Sequence, residues 1–93
     1  MNKLPKKNLE ATIPMMMSED YRERFRAEFY QLHARAERLN EMLKKWDNGG
    51  LGFEPKADHF LLHLQLKTME DYLDILAERA EIEDIDISLD SCC

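Results

Sequence analysis

Phe25, Phe29, Leu32, Ala36, Leu39, Leu43 and Trp46 follow one another at alternating spacings of four and three residues, and so do Leu62, Leu66, Met69, Leu73, Leu76 and Ala80. A mean period near 3.5 residues puts each row on one stripe of an α-helix, and it cannot hold one face of a strand, where the period is two. Each stripe must be covered, and the short connection between the rows makes each the natural cover for the other. The spacing therefore predicts an all-α fold in which two long antiparallel helices form a helical hairpin with coiled-coil-like packing. Both stripes read as core, not as a cofactor box.

Local signals bound the elements. Ser18 is a good N-cap, with Glu19 and Asp20 placed where the positive helix end favours acids, so the first helix is expected over about 19–46. Asn48, Gly49 and Gly50 end it. Residues 47–57 connect to a second helix capped by Asp58 or begun at Pro55, which runs to about Glu83. Pro5 and Pro14 argue against one continuous helix through residues 1–17 and leave an N-terminal arm with a short helical turn around Lys7 to Thr12. Met15, Met16 and Met17 in that arm either pack on a neighbouring surface or belong to a ragged terminus. In residues 85–93, Ile85, Ile87 and Leu89 alternate with polar positions, which fits a short strand or a disordered acidic tail. The chain thus divides into an arm (1–17), a helical hairpin (18–84) and an acidic tail (85–93).

The second helix carries a further row, Leu61, Leu64, Thr68, Tyr72 and Ile75. A helix apolar on two sides is usually buried on two sides. The expectation is a homo-oligomer with this row as its interface; the alternative is that the arm folds back over it. Size favours association, because a chain of 93 residues forms one small domain that buries only about 60% of its unfolded surface.

Nineteen acidic residues against 13 Lys and Arg give a formal net charge of −6. That balance excludes generic nucleic-acid binding through a uniformly basic face but leaves room for a local basic pocket. Cys92 and Cys93 are adjacent and cannot frame a disulfide scaffold. No apolar h-region follows Lys3, Lys6 and Lys7, and no apolar run reaches the roughly 18 residues of a membrane span. A cytoplasmic protein is expected.

Catalytic signals are weak. His59 and His63 share a helix face at metal-ligand spacing, with Glu70 or Asp74 on that side. However, HFLLH lacks the glutamate of the zinc-protease motif, and spacing fixes no third ligand, so they read as surface histidines and no metal is expected. Gly49, Gly50 and Gly52 match no nucleotide fingerprint and end a helix instead of opening one. No cofactor and no enzyme activity are expected. Arg22, Arg26, Tyr30 and His33 fall on one flank of the first seam, with Phe29 at its edge. Guanidinium groups grip phosphates and aromatic rings stack on bases, so this flank suits a small anionic, base-containing ligand. The pattern alone favours a plainer reading, a solvated face ion-paired through Glu23, Glu28 and Glu37.

The segments "EFYQLHARAERLNEML" and "LLHLQLKTMEDYLDILAERAEIE", joined by a loop with Phe, resemble the two helices of short phage-encoded hairpin proteins. The matching positions of the second are Leu62, Gln65, Met69, Tyr72, Leu76 and Arg79, and the resemblance covers about residues 19–85. This hairpin is similar to that of the phage anti-CBASS and anti-Thoeris sponge proteins. Members of that group assemble, often as hexamers, and sequester cyclic nucleotide immune signals without cleaving them. The resemblance implies an oligomeric, non-catalytic sponge in the bacterial host cytosol, blocking antiphage defence. It would take cyclic di- or trinucleotides or a cyclic ADP-ribose signal. It also implies pockets between protomers, with Tyr21 as the aromatic near the helix start and Arg22 or Arg26 as the basic group. The net charge supports a different expectation: an acidic protein-interaction inhibitor or adaptor that mimics DNA and occupies a host protein.

Overall fold

The computed structural model describes residues 6–87. Among the described residues the chain is all-helical, with α1 at Lys6–Met16, α2 at Tyr21–Asp47, α3 at His59–Glu83 and no strand. Tyr21 at the start of α2 touches Glu83 at the end of α3, and Trp46 near the end of α2 packs on His59 at the start of α3. The two long helices therefore lie side by side and antiparallel.

Every residue of the two predicted rows lies in one of two clusters along this contact. Phe25, Phe29, Leu76 and Ala80 form the first, joined by Leu32 and Leu73. Ala36, Leu43 and Leu66 form the second, flanked by Leu39, Trp46, Leu62 and Met69. Leu43 and Leu76 are each 1% exposed, and burying a leucine side chain contributes about 1.5–3 kcal/mol.

Asp20, not Ser18, caps α2. Its backbone is extended and its carboxylate accepts the Arg22 N–H at 3.0 Å. Ser18 instead accepts the Asp20 N–H at 3.0 Å, shaping the turn that precedes the cap. At the far end Asn48 donates its N–H to the Lys44 carbonyl, and Gly49 takes φ 77°, a left-handed backbone that glycine adopts without strain. Asp58, not Pro55, opens α3, because its carboxylate accepts the N–H groups of Phe60 and Leu61, two donors otherwise left without partners.

The arm departs from expectation. α1 continues through Pro14 to Met16. Proline lacks the N–H that would bond to the Glu10 carbonyl and its ring crowds that turn, but this falls in the last turn, where Met17 N–H still reaches the Ile13 carbonyl at 3.2 Å. α1 packs on α2 and makes no contact with α3. Small side chains permit the approach: Ala27 and Ala34 are 1% exposed. The buried Thr12 donates to the Leu9 carbonyl at 2.6 Å and accepts from Gln31 at 2.9 Å. Thus α1 does not cover the second row of α3, where among the described residues Leu61, Leu64, Thr68, Tyr72 and Ile75 all stay exposed.

The start of the tail is also ordered by packing. Asp84 adopts φ 61°, while Ile85 N–H bonds to the Ala80 carbonyl and Asp84 N–H to that of Glu81. This is a Schellman closure, with its usual apolar contact: Ile85 is buried against Phe25, Phe29, Leu76 and Ala80, and Ile87 packs beside them. Neither a strand nor a solvated chain describes residues 85–87; residues 88–93 lie outside the described part.

Two stability outcomes follow. Leu76→Ala lowers unfolding free energy by about 2–5 kcal/mol, read from urea denaturation by circular dichroism. Asp84→Gly removes the steric cost of a side chain in the left-handed region and raises stability by up to about 1 kcal/mol, or roughly 4–8 °C in Tm at this size.

Candidate functional site

The antiparallel arrangement brings the first turn of α2 and the last turn of α3 together, and of the five predicted ligand-binding residues Tyr21 makes contacts there. Tyr21 leads α2 and is 45% exposed. Its hydroxyl donates to Glu83 Oε1 at 2.6 Å and accepts from the Arg79 guanidinium. Arg79 also donates through Nε to Glu83 Oε2 at 3.0 Å. The guanidinium carbon lies 4.9 Å from the centre of the Phe25 ring, a cation–π distance, and the Tyr21 and Phe25 rings are 6.3 Å apart. Aromatic surface and a positively charged fork are thus fixed side by side at one end of the rod.

Arg22 and Arg26 do not join Tyr21. They line an adjoining groove of about 250 Å³ with Asp20, Glu23, Asp84, Ile85 and Asp86. Arg26 pairs with Glu23 at 3.2 Å and lies 5.9 Å from the Tyr30 ring. Its pKa is raised, first by its hydrogen bond with Tyr30. Tyr30 and His33 continue the same flank, half-buried, each with its ring close to that of Phe29. Arg26 Nε and His33 Nδ1 are buried without a hydrogen-bond partner, an arrangement that costs free energy. The carboxylates of this groove place it between the two sequence readings, since charge that could meet a phosphate is partly matched already.

A second groove, of about 280 Å³, was not singled out by the sequence reading. Arg24, Glu28, Gln31 and Arg35 line it on α2 together with Ala27 and Leu32, and Met16 of α1 forms a wall. The 4-3-4 spacing of positions 24, 28, 31 and 35 was a legible signal for one polar face. The methionine wall was not, because it depends on where α1 docks. Glu28 is held by the hydroxyl of Tyr72, which links this face to the exposed row of α3.

A family profile described as Sequestin matches residues 19–82. No curated protein and no solved structure matches the chain. The matched span takes in α2, the connection and nearly all of α3, so it includes Tyr21, Arg22, Arg26 and Arg79 but not the arm.

The Tyr21–Arg79–Glu83 triad has a defined pH window. Glu83 titrates below its ordinary value of 4.5, first because Tyr21 donates to it and then because Arg79 does. Tyr21 titrates above 10.0, chiefly because its proton is held by Glu83. A lowered carboxylate pKa means stability present above 4.5 and lost as pH falls through the folded value. A raised phenol pKa means stability present below 10.0 and lost as pH rises through it. In an NMR titration, Tyr21→Phe is expected to move the Glu83 midpoint upward toward 4.5.

Proposed function

Since this chain belongs to the Sequestin family, we propose that it binds and sequesters a cyclic nucleotide immune signal, without cleaving it, in a pocket completed by a second copy of the chain. The family name points to sequestration; the cyclic nucleotide is what the resemblance to the phage sponge proteins implies, and the chemistry of the site is compatible with it. One observation carries the reading: the exposed Tyr21 ring and Arg79, held over the buried Phe25, with Arg22 and Arg26 in the adjoining groove, crowd an aromatic face and guanidinium groups into one end of an acidic molecule. A base stacks on an aromatic ring, and a guanidinium fork matches phosphate oxygens. An arriving phosphate would take the place that Glu83 now holds on Arg79.

Assembly supports tight retention. The grooves of one protomer, about 250 and 280 Å³, are smaller than the range of roughly 300–1,000 Å³ that encloses a drug-sized ligand, and both are open. Leu61, Leu64, Tyr72 and Ile75 meanwhile lie exposed along α3. Packing this row against its counterpart in another copy buries apolar surface and brings a second set of helix ends toward the first. The resulting homo-oligomer of helical hairpins lowers the free signal by mass action, and antiphage defence fails for want of it. No step in this scheme needs an acid, base or nucleophile.

Native mass spectrometry with a panel of cyclic di- and trinucleotides and cyclic ADP-ribose isomers should show an oligomer that retains one of them, released intact on denaturation. Calorimetry should show Arg26→Ala weakening that ligand by about 10- to 100-fold, the worth of a charged hydrogen bond, with the oligomer unchanged. Loss on Arg35→Ala instead would relocate the site to the α1–α2 groove. A monomer that retains nothing, or that captures a host protein with no nucleotide, overturns the proposal.

A further inference from the structure

At the opposite end of the helix pair, the fold supplies the third donor that spacing alone left undefined. Asp47 closes α2, and His59 and His63 lie in the first turns of α3. His59 Nε2 is 2.6 Å from Asp47 Oδ1, and His63 Nε2 is 3.7 Å from Oδ2. The imidazole rings are 4.4 Å apart, and one ligand atom from each of the three residues lies within 4.8 Å of the other two. All three side chains are between 42% and 48% exposed, so an ion can reach them from solvent. Glu70 and Asp74 take no part.

We infer that Asp47, His59 and His63 form a binding site for a divalent transition-metal ion, zinc(II) foremost, which clips the end of α2 to the start of α3. Hydrogen bonding accounts for only part of the arrangement. At 3.7 Å His63 is beyond hydrogen-bond reach of the carboxylate, yet its Nε2 converges on the oxygen that His59 leaves free. A tetrahedral ion with bonds of about 2.0–2.1 Å separates its ligand atoms by roughly 3.3 Å. Small rotations that open the His59–Asp47 contact and close the His63 gap bring both toward that spacing. Two imidazoles and one carboxylate suit zinc, cobalt, nickel or copper and not magnesium or calcium, which prefer all-oxygen shells. The last carbonyls of α2 add negative potential, while the opposing positive end of α3 is partly occupied by the Asp58 carboxylate. Three protein donors leave a coordination position for water. The ion would fix the 48–58 connection at its two ends.

Trp46, the only tryptophan in the chain, meets the His59 ring edge-on at 4.7 Å, so its fluorescence reports on this site. The test uses tag-free protein carrying Cys92→Ser and Cys93→Ser, because adjacent thiols bind the same ions. Zinc and cobalt are titrated while Trp46 emission and Tm are followed. Expected are a saturable one-equivalent change, a rise in Tm, reversal by EDTA and no response to magnesium. His63→Ala and Asp47→Asn should each weaken zinc by at least about tenfold, the least that losing even an outer partner of a metal site costs. Both positions are exposed, so both variants should keep the parent circular dichroism. Absence of a saturable response at zinc well above the protein concentration, or an unchanged response in His63→Ala, overturns the inference. Nucleotide retention at the other end is read separately and does not bear on this result.

Discussion

Leu43 and Leu76, each 1% exposed, mark the two halves of the α2–α3 contact. Removing water from that contact drives the tertiary structure of so short a chain. Whatever propensity contributes to a helix of 27 residues, most helical stability in proteins comes from burial of an apolar face. The seam also sets direction. Residues from Phe25 to Trp46 meet residues from Ala80 back to Leu62, so both ends of the rod are decided by one register. What is placed at each end is a consequence of that seam.

The two ends carry different chemistry. One holds Tyr21, Phe25, Arg79 and Glu83, closed from below by Ile85 after the turn at Asp84. The other holds Trp46, Asp47, His59 and His63 beside the connection. Helix termini suit such work, because side chains there face neighbours from another element and open solvent together. The middle of the rod is given to packing on two sides: α3 covers the large apolar stripe of α2, and α1 lies over Ala27 and Ala34. That leaves Leu61, Leu64 and Ile75 of the outer row of α3 exposed among the described residues.

The acidic balance of the chain and its arginines are compatible because charge acts locally. Guanidinium groups at Arg22, Arg26 and Arg79 sit among Glu23, Glu83, Asp84 and Asp86, a mixture that keeps the free surface soluble and poises the arginines in fixed positions. Under the proposed function, a ligand anion would exchange one set of oxygens for another. The affinity of such a site depends on what the exchange gains over the carboxylates it displaces, which favours a ligand that adds stacking to charge.

The alternating four-and-three spacing determined the all-helical fold, the core residues and the ends of α2 and α3 to within a few positions, because periodicity and caps are local properties of a chain. The flank bearing Arg22, Arg26, Tyr30 and His33 was legible for the same reason. Local signals failed at Ser18, where Asp20 makes the cap, and at Pro14, where the helix persists because the lost bond lies in its last turn. Only the tertiary structure decided that α1 lies on α2, that Ile85 plugs the core, that Tyr21 meets Arg79 and Glu83, and that Asp47 joins His59 and His63. Those partners are 12 to 62 residues apart. Their meeting depends on the register of packed helices, which no stretch of sequence specifies by itself.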